Sequence, residues 1–188
     1  MAIRLTKSGP RQPSAPTITF AHQRNVQTLA RLLAEHRGHH SARDRFFGLI
    51  YSFLIYDHYA EAYKAHTGSR VGIGRSWLEL ANDPILQAIY ARVLPWHDDG
   101  QLRCIELPLP IIAVSPFHNA SAPRGITPGT YRLEGLSADQ FVEIAWTVRC
   151  NLLHGSYDPC DTATFFVLRN VSRPMMAIVW DMMSQTQW

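Results

Sequence analysis

Proline fixes its own backbone angle and lacks an amide hydrogen, and in this chain its twelve copies are bunched in a way that limits where helix can form. Residues 1–17 carry Pro10, Pro13 and Pro16 with Gly9 and few large apolar side chains. That is the composition of a tail that cannot offset its ordering entropy. Pro108, Pro110, Pro116, Pro123 and Pro128 crowd the stretch from Trp96 to Leu136. About 96–136 is therefore expected to be an irregular insertion or lid, with Leu102 to Leu107 and Thr130 to Leu133 as candidate short strands. The other segments are open to helix, and their apolar spacing follows the helical period. The expected fold class is an all-α helical bundle, a single domain over 18–188 carrying that insertion, with room for a small two-stranded element.

A first helix is predicted from about Phe20 to His36, where Val26, Leu29, Ala30 and Leu33 fall at i, i+3, i+4 and i+7 and Gly38 is placed to end it. A second, from about Ala42 to His66, carries Phe46, Phe47, Phe53, Tyr56, Tyr59 and Tyr63, an apolar surface wider than one stripe that suits a central helix. Gly68 closes it. Gly72-Ile73-Gly74 reads as a turn, since no strand precedes it and a dinucleotide fingerprint would need a third glycine. Trp77, Leu78 and Leu80 suggest a short helix, and Asn82-Asp83-Pro84 supplies cap and first-turn proline for the next, which Pro95 ends. Ser137-Ala138-Asp139-Gln140 fits a capping box before the stripe Phe141, Ile144, Ala145, Val148 and Leu152. A second stripe, Val142, Trp146, Arg149 and Leu153, lies beside it, so this helix is expected to contact two surfaces, the core and a partner subunit. The final helix is predicted from Asp158-Pro159, with Phe165, Leu168, Val171, Met175, Ile178, Val179 and Met182 in period and Pro174 expected to kink or split it.

The longest apolar run, Phe46 to Tyr56, is far short of the roughly 20 residues that span a bilayer. No partnership with a membrane is expected, and the N-terminal residues lack the apolar core of a secretory signal. Cys104, Cys150 and Cys160 make neither a CxxC pair nor an even-numbered framework, so a reducing, cytoplasmic setting is the simplest expectation. Residues 1–75 hold eleven Lys and Arg against four Asp and Glu, and sixteen of the eighteen cations are arginine. The planar guanidinium fork suits phosphate, which makes an anionic polymer a sensible partner.

His36, His39 and His40 stand at i, i+3 and i+4, but Gly38 interrupts the helix and no acid or cysteine lies beside them, so no metal site is expected. Asp57-His58 places ionisable groups inside the aromatic helix, as a catalytic support or a satisfied polar pair. The stronger chemical signal is Arg149-Cys150-Asn151-Leu152-Leu153-His154-Gly155. Arginine stays charged and offers several donors to phosphate oxygens, and histidine exchanges protons near neutrality. Metal-free cleavage of RNA needs that pair of functions, a proton acceptor for the 2′-hydroxyl and positive charge on the developing pentavalent phosphate. A spacing of five along continuous helix would rotate His154 by about 140° from Arg149, so the two converge only if the helix ends between them.

An arginine, four residues including an asparagine, then histidine and glycine at the end of an amphipathic helix resembles the signature of HEPN domains, small all-helical proteins that include many ribonucleases. The resemblance covers about Phe20 to His66 and Leu136 to Met183. It implies a metal-independent endoribonuclease with Arg149 and His154 as catalytic residues, Asn151 as supporting polar residue and no cofactor. It also implies a homodimer in which two motifs face each other, with RNA as substrate, products ending in 2′,3′-cyclic phosphate and 5′-hydroxyl, and a toxin or antiviral role under an antitoxin or regulatory protein. Family toxins paired with nucleotidyltransferase antitoxins carry a tyrosine two residues after the histidine. Here that position is Ser156, and Tyr157 falls one place late. The alternative is a non-catalytic HEPN-like module that binds RNA or protein, in which Arg149 pairs with Asp158 or Glu143 and His154 caps helix carbonyls.

Overall fold

The computed structural model describes residues 20–37, 41–95, 104–107, 129–132, 135–153 and 162–185. Among these the chain is all-α with one small sheet: α1 (Phe20–Arg37), α2 (Ala42–Thr67), α3 (Ile73–Ala81), α4 (Pro84–Val93), β1 (Cys104–Leu107), β2 (Gly129–Arg132), α5 (Ala138–Leu153) and α6 (Thr162–Gln185). The expected tail lies outside the described residues. Of the expected insertion, the described parts are the two strands and residues 135–136. The strands pair antiparallel, Cys104 opposite Arg132 and Leu107 opposite Gly129, close to the two segments predicted for them.

Helix α2 is the centre of the bundle and packs against α1, α3 and α6. Its ends follow from sequence. Ser41 accepts a hydrogen bond from the Asp44 amide, and Gly68 takes the left-handed conformation at φ 69° while its amide donates to the Lys64 carbonyl. The aromatic residues predicted to make it central are the core: Phe53, Tyr56 and Tyr59 are fully buried alongside Trp77, Tyr90 and Phe141 from other helices. Gly48 makes the closest approach possible, since a Cβ there would run into the Met176 sulfur of α6.

Two expectations are corrected. Gly72-Ile73-Gly74 is not a turn throughout: Gly72 caps α3, Ile73 begins it and Gly74 lies inside its first turn. The glycine is tolerated there because the Trp146 ring occupies the space where its side chain would be. Pro174 does not split the last helix, which is assigned without interruption from Thr162 to Gln185. An interior proline costs about 3 kcal/mol. Val171, Met175, Ile178, Val179 and Met182 of the same helix are all buried, at about 1.5–3 kcal/mol each, and outweigh it. The predicted cap of that helix, Asp158-Pro159, lies outside the described residues.

No helix among the described residues is long and apolar enough to cross a membrane.

Candidate active site

The helix that carries Arg149 starts as its sequence predicts. The Ser137 amide donates to Gln140 Oε1 at 3.0 Å and the Gln140 amide donates to Ser137 Oγ at 3.2 Å, a reciprocal capping box. Phe141, Ile144, Ala145 and Val148 then face the core and are buried. The second stripe is covered as well, but by α3 of the same chain: Val142 is buried, and the Trp146 ring lies edge-on to Trp77 with centroids 5.3 Å apart. At Trp146, therefore, the stripe packs against α3 of the same chain. Leu153, 47% exposed, is the one large hydrophobic residue the stripe leaves open among the described residues.

Arg149 sits one turn before the described end of α5, and two neighbours fix its guanidinium. Nη2 donates to Asp57 Oδ2 at 2.9 Å, and the guanidinium carbon lies 4.9 Å from the centre of the Trp146 ring. The other oxygen of the same carboxylate, Asp57 Oδ1, accepts a hydrogen bond from Trp77 Nε1 at 2.8 Å. Asp57 therefore bridges α3 and α5 from α2, with both ionic side chains 19% exposed. A ring stacked on the guanidinium adds about 0.5–2 kcal/mol, and charge-assisted hydrogen bonds are roughly twice as strong as neutral ones. The result is an arginine held in one orientation.

The platform beneath is rigid for the same reason. The Tyr56 ring lies tilted against Trp77 with centroids 4.6 Å apart, and the Tyr90 hydroxyl donates to the Tyr56 hydroxyl at 3.0 Å. Burial pushes both phenols above their ordinary values, so they remain protonated and act as hydrogen-bonding spacers. Cys150, half-buried beside Arg149, is also pushed up by burial, with the guanidinium charge pulling the other way. It is a protonated thiol rather than a nucleophile.

The expected site residues are thus separated by their surroundings. Arg149 reaches the edge of the fold. Asn151 does not: it is 2% exposed, and its Oδ1 is shut off from solvent without a hydrogen-bond partner. His154 lies outside the described residues, directly after Leu153, where the described helix ends. Arg149 is therefore helical, and helix continues for four residues beyond it. The acid that pairs with Arg149 among the described residues is Asp57, a partner the sequence alone does not assign to it, while Asp158 lies outside those residues.

Sequence reasoning singled out Asp57 as an ionisable group in an apolar helix but attached no partner to it. Trp77 and Trp146 entered only as hydrophobic positions. Their polar edges and ring faces had no visible signal, because the contact joins residues as far as 92 positions apart.

Arg149 Nε is buried and makes no hydrogen bond, an unmet donor that costs on the order of 1–3 kcal/mol. No cluster of three or more His, Cys, Asp or Glu residues suited to a metal occurs among the described residues. His36 pairs instead with Asp44, Nδ1 to Oδ1 at 2.9 Å, and stacks against Phe47 and Tyr51. His39 and His40 lie outside the described residues. No family model, curated protein or solved structure matches the chain.

Proposed function

We propose that the protein is a metal-independent endoribonuclease in which Arg149 stabilises the phosphate during attack by the ribose 2′-hydroxyl and His154 carries the proton. The observation that carries this reading is the seating of Arg149. Asp57 and Trp146 hold its guanidinium in one orientation, one turn before the residue that leads into His154. A charge fixed before substrate arrives need not reorganise as the transition state forms, and that is the largest lever available to a phosphoryl-transfer site. The idle Nε donor is consistent with a site whose hydrogen bonding is completed by another group. Asn151, with its carboxamide inside the protein, enters this reading as a support for the end of α5 rather than as a group touching RNA.

A homodimer completes the proposal, since one chain supplies one histidine in this motif. Leu153, exposed at the described end of α5, is the apolar side chain this dimer contact would use. The setting proposed, by resemblance, is that of a cytoplasmic toxin or antiviral effector restrained by an antitoxin or regulatory protein.

One observation favours a second reading. Arg149 already has a carboxylate partner, as it would in a non-catalytic module that binds RNA or protein.

Cleavage of a mixed-sequence RNA by wild type, His154→Ala and Arg149→Ala, with excess EDTA and mapped product ends, separates the two. The ribonuclease reading expects EDTA-resistant cleavage giving 2′,3′-cyclic phosphate and 5′-hydroxyl ends, with at least a hundredfold loss in each folded variant, the scale on which acid-base groups and oriented charges act. RNA binding without cleavage by wild type, unchanged in His154→Ala, would establish the binding module.

A further inference from the structure

Away from the Asp57 pair, α2 and α6 bring together charges of one sign. The two helices touch where Gly48 meets Met176. Arg45 lies three residues before Gly48 and Arg173 three residues before Met176, and the charges of Arg173 and Arg169 both act on Arg45. Arg169 is four residues before Arg173, on the same face of α6. All three are half-buried.

Among the described residues none of the three forms an ion pair with a carboxylate. Asp44, the neighbour of Arg45 in sequence, is engaged by His36 Nδ1 and by the Ser41 hydroxyl. Burial first, and then the fields of Arg173 and Arg169, make Arg45 a weaker base than an ordinary arginine. Arg45 also lies in the first turns of α2, where the helix dipole adds partial positive charge. Finally, Arg169 Nε is closed off from solvent and makes no hydrogen bond. Three neighbouring guanidiniums with an unmet donor are unfavourable alone, and an oxyanion able to accept from several N–H groups at once would balance them.

We infer that Arg45, Arg169 and Arg173 form a phosphate-binding site and that its occupant is a backbone phosphate of RNA. The choice of occupant rests on the ribonuclease reading above, whereas the site itself does not. In that role the three arginines hold the strand away from the reacting bond and contribute affinity without sequence preference.

The test compares wild type, Arg45→Gln, Arg173→Gln, the double variant and Arg149→Ala. Two measurements are made: thermal melting in inorganic phosphate against chloride of equal ionic strength, and anisotropy of a labelled mixed-sequence single-stranded RNA across a salt series. Phosphate is expected to raise the melting temperature of wild type and of Arg149→Ala, and to lose that effect in the double variant. In chloride at low ionic strength the Arg→Gln variants should melt at or above wild type, because repulsion is relieved; a purely structural role for these arginines would make them melt lower. RNA affinity of the double variant should fall about tenfold or more, with the slope of log affinity against log salt shallower by about 0.7 per lost phosphate contact.

The readings separate cleanly. A phosphate effect that appears in wild type and vanishes in the double variant, without RNA binding by wild type, keeps the anion site and overturns RNA as its occupant. Absence of a phosphate effect in wild type, or its persistence in the double variant, overturns the site. Loss of cleavage in Arg149→Ala with RNA affinity intact ties catalysis and strand holding to different arginines.

Discussion

Arg149 and the Arg45, Arg169 and Arg173 group are the same side chain in opposite circumstances. The first has a carboxylate 2.9 Å away and an indole face beneath it, while the others have one another. An arginine that serves only the fold is expected to look like the first kind, because a half-buried charge without a counter-charge works against folding. The second kind persists only where a group beyond the described residues balances it, or where the cost is small enough to bear. The contrast predicts opposite responses to losing a charge. Removing Asp57 should hurt the fold, and removing Arg45 or Arg173 should not.

The strongest way to break the paired side is through the residue that holds both halves. Trp77 is fully buried, packs on Tyr56, Phe53 and Trp146, and donates to Asp57. Trp77→Ala is expected to destabilise by about 3–5 kcal/mol, read as a lowered denaturation midpoint with unchanged slope. A loss below about 1 kcal/mol would mean that the platform does not hold Arg149 in place.

The next largest effect isolates the ion pair. Asp57→Ala strands Arg149 and leaves Trp77 Nε1 without its acceptor, so a loss of about 2–4 kcal/mol is expected, toward the lower end because both side chains keep some solvent contact. Arg149→Ala alone should cost less, and the double variant less than the sum, with a coupling of about 1–2 kcal/mol in a double-mutant cycle. Strict additivity would show that the pair is geometric only. It would also remove the contrast with the Arg45 group.

The sequence disclosed these two regions unequally, and the reason is range. Local rules sufficed for the Ser137 and Gln140 box, the Gly68 terminus and the burial of Phe53, Tyr56 and Tyr59, since each depends on spacing within one helix. They also placed Arg149 near the end of α5 and drew attention to Asp57. They did not join the two, because a side chain at Asp57 meets one at Arg149 only after α2, α3 and α5 have packed. Glycine misled at Gly74, where it reads as a turn residue but serves as clearance for Trp146. Proline misled at Pro174, where burial of the surrounding helix outweighs a local preference. The Arg45, Arg169 and Arg173 cluster was invisible for the same reason as the ion pair, and the basic bias of residues 1–75 recorded only part of it.

The smallest effect sharpens the comparison with an acid in place of an arginine. Asp83 caps α4 through Oδ1, which accepts from the Ile85 amide at 2.9 Å, while Oδ2 is buried without a partner and the residue is 2% exposed. Burial raises its pKa, and the Ile85 and Leu86 amides oppose the shift without cancelling it. A carboxyl whose pKa is higher folded than unfolded binds protons more readily in the native state. Ionisation therefore detracts from stability as pH rises through the folded pKa, and the loss is complete above it. Asparagine caps about as well as aspartate and carries no charge to desolvate. Asp83→Asn should thus match or exceed wild-type stability at pH 7, by about 1 kcal/mol or less. Its advantage should shrink as pH falls through the folded pKa of Asp83 toward the ordinary aspartate value. Asp83→Ala, which forfeits the cap, should lose about 1 kcal/mol by comparison with Asp83→Asn. If the difference between wild type and Asp83→Asn is flat from pH 7 to pH 4 in thermal melts, the Asp83 charge is already balanced in the fold. An unpaired buried charge would then cost this protein less than the Arg45 argument requires.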